Sequence, residues 1–182
     1  MSAMSREHIR RFLLLTITLF AVMGLVGCSV INDELPTYEE SSIVVEGDIA
    51  PNFTATTLEG ESITLSSLRG GAVLLIFFTH TCPDCKALFD DLAQKQPEIE
   101  ALGVRVLAVS RGGSQADIEA YMAKNGYAFD AVADAEAQIY RLYATAYVPR
   151  CYLINASGVV DTVAIEYEAS HIPRLLERMK LL

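Results

Sequence analysis

The chain has 182 residues, 52% of them apolar, which is enough to bury one sizeable core and too apolar for a disordered protein. Its formal charge of −9 excludes the basic face that nucleic acid or an anionic membrane surface requires, leaving small molecules or proteins as partners. No fixed-period repeat or extended low-complexity tract is present, which excludes a solenoid.

The N-terminus is set aside before the fold is considered. Arg6, Arg10 and Arg11 precede a nearly unbroken apolar run over residues 12–27, shorter than the roughly 20 residues a membrane-spanning helix takes. The segment therefore reads as a secretion signal. It ends in Leu25-Val26-Gly27-Cys28, which resembles the lipobox of bacterial lipoproteins. That resemblance implies a signal peptide over 1–27, lipid on Cys28 at the start of the mature chain, and a cell-envelope location facing outside the cytoplasm. Ser29 is similar to the residue found in proteins sent to an outer membrane, and the choice between inner and outer membrane stays open. Residues 28–46 are polar and acidic and read as a flexible tether; extended, residues 29–46 reach about 60 Å at roughly 3.3 Å per residue. The folded domain is expected over 47–182.

From Gly47 onward, β-like runs alternate with amphipathic stretches, the pattern of an α/β domain with helices on both sheet faces. Residues 53–56 and 62–65 flank the turn-like Leu58-Glu59-Gly60-Glu61 and predict a hairpin. Residues 72–79, AVLLIFFT, lack polar alternation and predict a central strand buried on both faces. Beyond Cys82-Pro83-Asp84-Cys85, the apolar Ala87, Leu88, Leu92 and Ala93 recur at helical spacing as far as Gln96-Pro97, where proline interrupts the hydrogen-bond ladder. Residues 98–102 add a further turn. Residues 104–109 predict a second central strand, 114–124 a helix ending at Asn125-Gly126, and 136–143 another helix. The chain returns through Val148-Pro149 to a strand at 151–155, turns at Ala156-Ser157-Gly158, and continues as a strand over 159–165 and a final helix from Ser170.

With Cys28 assigned to lipid, three thiols are left: Cys82, Cys85 and Cys151. An odd, sparse set in an oxidising compartment is not a structural disulfide framework, so at least one reactive pair is expected. Cys82 and Cys85 stand three residues apart at a helix start, where both sulfurs can face one side and close a small disulfide loop. The free N–H groups and dipole at that end stabilise a thiolate on Cys82, the expected nucleophile. Pro83 suits the first helical position, and Cys85, one turn in, is the more buried resolving thiol. The same spacing makes half a zinc site, but no second Cys-x-x-Cys or His-x-x-x-His completes one, and no metal is expected. Asp84 places negative charge near the nucleophile and opposes the helix start.

These features, with Gly47-Asp48-Ile49-Ala50-Pro51-Asn52-Phe53, Leu58-Glu59-Gly60, Ser66-Ser67-Leu68-Arg69-Gly70 and Val148-Pro149 before a strand with Asn155 and Gly158, resemble the thioredoxin-like redoxins. More narrowly, they are similar to TlpA-like, membrane-anchored thiol-disulfide oxidoreductases grouped with the alkyl hydroperoxide reductase and thiol-specific antioxidant proteins. The resemblance covers residues 47–182. It implies a thioredoxin-like α/β fold, a central mixed sheet flanked by helices with an N-terminal β-hairpin extension. It also implies a cis-Pro149 against the cysteines and a Val148 backbone free to pair with an extended substrate, beside a rim formed by Pro83 and Asp84. No cofactor is expected beyond a redox-active Cys82–Cys85 disulfide. The partners implied are protein thiols and disulfides of the envelope and a membrane electron donor or acceptor. The activity implied is attack by Cys82 on a partner disulfide and resolution by Cys85, in the direction that reduces protein disulfides.

The sequence departs from the family pattern at several positions. Thr81 replaces the usual tryptophan, and Leu88 replaces a buried carboxylate, so Asp90, Asp91 or water is left to take the Cys85 proton. His80 either stabilises the Cys82 thiolate or simply ends a strand. Cys151 either captures Cys85 or is a small buried hydrophobe. Arg150 either offsets Asp84, guides an acidic partner, or is solvated. Two other functions fit the fold. A thiol peroxidase has proline seven and threonine three residues before its cysteine; Thr79 meets the second condition and Leu75 fails the first. A copper chaperone would use Cys82, Cys85 and a histidine, though such relatives space their cysteines by three residues.

Overall fold

In the computed structural model, which describes residues 35–182, the apolar run after Gly71 becomes the middle of a five-stranded sheet. Strands β1 (Thr54–Thr56) and β2 (Ser62–Thr64) form the expected antiparallel hairpin, closed by a turn at Gly60. Then follow β3 (Ala72–Phe78), α1 (Pro83–Ala101), β4 (Val104–Arg111), α2 (Gln115–Asn125), β5 (Asp130–Asp134), β6 (Arg150–Ile154), β7 (Val160–Ile165) and α3 (His171–Met179). The sheet order is β5-β4-β3-β6-β7, with β3, β4 and β5 parallel and β6 and β7 antiparallel to their neighbours. This is a thioredoxin-like fold with a mixed sheet.

The alternation of side chains along β3 divides the core. Leu74, Ile76 and Phe78 face a cluster built from all three α-helices, including Leu88, Phe89, Leu92, Ile118, Met122, Leu175 and Leu176. Val73, Leu75 and Phe77 face the hairpin residues Phe53, Ile63 and Leu65 and the rings of Tyr140, Tyr143 and Tyr152. Both faces of β3 are therefore dry, which explains its lack of polar alternation. The second face carries 3-10 turns at Leu65–Leu68 and Tyr140–Leu142 but none of the α-helices described, a departure from the expected placement of helices on both faces.

Three further expectations are corrected, and one strand is added to them. The helix predicted over 136–143 is reduced to the Tyr140–Leu142 turn: the Asp134 carboxylate accepts the N–H groups of Gln138, Ile139 and Tyr140, and Ala137 enters with φ 52°, so the local hydrogen bonds close a tight turn instead. β5 carries no strand signal of its own, because its sequence DAVAD has acidic ends and two alanines of low strand propensity; pairing with β4 from Leu107↔Asp130 to Arg111↔Asp134 supplies the structure. α1 runs through Pro97 to Ala101, since one missing N–H costs less than unburying Ile99. The flexible tether predicted for 28–46 is docked from Pro36 onward. Ile43 and Val44 donate to the Tyr143 carbonyl, Ser42 pairs with Ala144, Val44 enters the second cluster, and Tyr38 packs edge-on against Tyr147 at 5.0 Å. Pro36–Leu182 form one compact unit. The predicted signal peptide 1–27, Cys28 and the tether before Leu35 lie outside the described residues.

Candidate active site

Because β6 runs antiparallel beside β3, with Phe77 opposite Arg150, the residues leaving β3 meet the residues entering β6. That register brings the Cys-x-x-Cys turn against Val148-Pro149. The Val148–Pro149 peptide bond is cis. The Cys82 thiol lies 3.8 Å from the Val148 carbonyl, to which it donates.

Cys82 is the N-cap of α1, with extended backbone (φ −88°, ψ 120°), and its sulfur accepts the Cys85 N–H at 3.2 Å. Pro83 occupies the first turn, as expected. A charge developing on Cys82 therefore meets an aimed N–H and the positive end of a 19-residue helix. Cys82 is half-buried and Cys85 fully buried. Desolvation, followed by the bond to Cys82, pushes the Cys85 thiol far above the ordinary cysteine range. Neither cysteine is joined in a disulfide. One sulfur can be attacked from outside while the other is protected until needed.

Thr81, Pro83 and Asp84 are exposed and form a small, polar rim where a tryptophan would have built an aromatic one. His80 turns toward α2: its ring lies so close to Gly113 that a Cβ there would meet Nδ1 at 3.0 Å. Nδ1 is buried without a hydrogen-bond partner among the described residues. Leu88 is fully buried in the α1 core. Asp90 accepts from Lys86 Nζ at 2.7 Å and from the Tyr127 hydroxyl at 2.7 Å, and Asp91 accepts from the Tyr167 hydroxyl at 2.5 Å. No group of three or more histidine, cysteine or acidic residues among those described is placed to hold a metal ion.

Cys151 sits on β6 opposite Ile76, fully buried in the same cluster as Cys85, and burial pushes its thiol up to about 12. An alkylating reagent at neutral pH is expected to label Cys82 in the reduced native protein and to reach Cys151 only in denaturant, as read by mass. Native labelling of Cys151 at the rate of Cys82 would show an accessible third thiol.

Arg150 is corrected most sharply. Expected beside Asp84, at a partner surface, or in solvent, its side chain is completely buried on the opposite face of the sheet. Nε donates to Ala146 O at 3.0 Å, one terminal nitrogen to Ser42 Oγ at 3.0 Å and Tyr152 Oη at 3.2 Å, and the other to Ser41 Oγ. No carboxylate pairs with it among the described residues. Tyr140 Oη donates to Tyr147 O at 3.1 Å, so two buried side chains hold the carbonyls of the loop that carries Val148. Only period-two alternation from Tyr152 could have placed Arg150 on this face.

A half-buried thiol capping a helix, a buried thiol one turn later and a cis-proline loop across from them define a dithiol site of the thioredoxin-like thiol-disulfide oxidoreductases. The chain belongs to the AhpC/TSA family, whose profile matches residues 46–163. It is 31% identical over 154 residues, 85% of this chain and 84% of the relative, to thiol-disulfide oxidoreductase ResA of Bacillus subtilis (strain 168). Among solved structures, it superposes on a putative protein disulfide isomerase from Bacteroides thetaiotaomicron with a TM-score of 0.72 at 25% identity, covering 76% of this chain and 90% of that one. A putative thiol:disulfide interchange protein DsbE from Chlorobium tepidum gives a TM-score of 0.69 at 28% identity, covering 76% and 96%. The chain is a thiol-disulfide oxidoreductase.

Proposed function

We propose that the protein reduces disulfides of proteins in the cell envelope, with Cys82 as nucleophile and Cys85 as resolving thiol. The observation that carries the assignment is the asymmetry of the pair: Cys82 caps the helix within reach of solvent and accepts the Cys85 N–H, while Cys85 is buried. The Cys82 thiolate attacks one sulfur of the partner disulfide, and the partner's other sulfur leaves as a thiolate that takes a proton from water. Cys85, once deprotonated, attacks the Cys82 sulfur, closing the Cys82–Cys85 disulfide and releasing the second partner thiolate. Two electrons have then passed to the partner, and a dithiol donor at the membrane returns them by the reverse steps. An extended substrate strand pairs with the Val148 backbone beside Pro149, over the rim of Pro83 and Asp84.

The N-terminal signal and the lipobox-like Cys28 support an extracytoplasmic protein held to the membrane by lipid. No helix among the described residues is long and apolar enough to cross a membrane. The full chain, isolated in detergent and equilibrated across thiol/disulfide buffers, is expected to show one reversible two-thiol transition confined to Cys82 and Cys85. A midpoint near the roughly −270 mV of thioredoxin supports a reductant, and one near about −120 mV makes the protein an oxidant instead. The intact mass also reads whether Cys28 carries acyl chains.

A further inference from the structure

The loop that carries Val148 is bracketed by two residues in an unusual backbone state. Tyr147, just before it, has φ 69°, and Glu166, just after β7, has φ 60°. Among the described residues, Ala137 is the only other non-glycine residue with positive φ. A Cβ crowds the backbone in this region, so such residues persist only where surrounding contacts hold them. Glu166 reaches the loop through its backbone: its N–H donates to the Pro149 carbonyl at 2.8 Å. Tyr140 holds the Tyr147 carbonyl, which leaves the Tyr147 ring and the Glu166 side chain to be held by something else.

Residues 36–38 do this. The Pro36 carbonyl accepts the Tyr147 hydroxyl, the Tyr38 ring packs edge-on against the Tyr147 ring at 5.0 Å, and the Tyr38 hydroxyl donates to the Glu166 carboxylate. Tyr38 thus touches both brackets at once. Its own carbonyl accepts the hydroxyls of Ser41 at 2.8 Å and Ser42 at 2.7 Å, the two serines that Arg150 holds from the start of β6. The contacts run from Arg150 through Ser41, Ser42 and Tyr38 to Tyr147, and the chain Val148-Pro149 joins Tyr147 back to Arg150, so the substrate loop is one side of a closed ring. Tyr38 belongs to neither core cluster and stays 48% exposed, so core packing does not account for its place.

We propose that Tyr38 is a positioning residue for the substrate: by fixing Tyr147 and Glu166, it holds the Val148–Pro149 loop in the shape that pairs with an extended polypeptide carrying the target disulfide. This deepens the function proposed above and rests on it. Tyr38 takes no part in the sulfur chemistry and acts through the loop alone. A small disulfide needs only the Cys82 sulfur, whereas a peptide disulfide also needs the loop. Without Tyr38 the loop spends part of its time in other shapes, and the apparent affinity for a peptide falls with the fraction that is competent to bind it.

The experiment uses the reduced full chain and two substrates that release the same coloured thiolate: dithiobis-nitrobenzoate, and a short unstructured peptide whose one cysteine is in mixed disulfide with thionitrobenzoate. With each, the Cys82 thiolate attacks one sulfur, forms a new disulfide to it and expels thionitrobenzoate, so the two rates differ only in what the rest of the substrate touches. Tyr38→Ala is expected to lower the second-order rate constant for the peptide about tenfold and to leave that for dithiobis-nitrobenzoate within about twofold of the wild type. Tyr38→Phe keeps the ring and loses the hydroxyl, so a smaller loss with the peptide, about threefold, is expected. Glu166→Gln still offers Tyr38 an oxygen acceptor and should stay near the wild type with both substrates. A Tyr38→Ala chain with no loss on the peptide, or with an equal loss on both substrates, overturns the positioning role. A wild-type chain that reacts with dithiobis-nitrobenzoate but not with the peptide overturns the protein-disulfide reading itself, and one that reacts with neither overturns the assignment of Cys82; the positioning role falls with either.

Discussion

Replacing Cys85 by serine is expected to stop the chain at its mixed disulfide, so that a disulfide-bonded partner accumulates on Cys82 in nearly stoichiometric amount. Cys82→Ser should instead leave no covalent adduct and lower the exchange rate by at least about 10³-fold, because Cys85 and Cys151, the other thiols among the described residues, are buried. The asymmetry follows from the helix start. Only Cys82 combines access with the Cys85 N–H and the helix dipole, and only Cys85 is one turn from the sulfur it must attack. Non-reducing gels and intact mass after exposure to a disulfide substrate read both outcomes. Stoichiometric adduct on Cys85 in the Cys82→Ser chain would reverse the roles.

Arg150→Ala is expected to be the most damaging single change away from the cysteines. It removes a long, fully buried side chain and strips donors from Ala146 O, Ser41, Ser42 and Tyr152 at once. Cavity formation and lost charge-assisted hydrogen bonds together cost about 3–5 kcal/mol. For a domain of this size that is a drop of about 6–20 °C in Tm. Residues 36–46 should also become sensitive to protease, since Ser41 and Ser42 lose the group that ties them to β6. Arg150→Lys keeps the charge but cannot span the same acceptors, so it should recover only part of the loss. A melting temperature that does not move, with the segment still protected, would show that Arg150 is not the tie.

The parts of the fold that were legible are those in which one local signal and one tertiary role agree. The run AVLLIFF could be read as a doubly buried strand because β3 has helices on one face and the hairpin and tyrosines on the other. Pro83 and the spacing of Cys82 and Cys85 could be read as a helix start because capping is local. Proline in Val148-Pro149 was informative only through its place in the resemblance. What escaped were elements made by distant partners. β5 exists because β4 offers it hydrogen bonds, and the turn at Tyr140–Leu142 replaces a helix because Asp134 reaches three N–H groups beyond it. Arg150 is buried because two serines more than 100 residues earlier fold back over it.

If Cys28 carries lipid, as proposed, the docking of residues 36–46 sets how far the domain can work from that anchor. Residues 29–35, which separate Cys28 from the first docked residue, could span at most about 25 Å even if fully extended, at roughly 3.6 Å per residue. That is less than half the reach of an undocked tether. Within the folded unit, the Pro36 carbonyl accepts the Tyr147 hydroxyl one residue from Val148, so the first docked residue lies beside the substrate loop. Such an enzyme would patrol a thin layer at the bilayer surface, meeting partners whose disulfides lie close to the lipid and passing over those carried deep in solution.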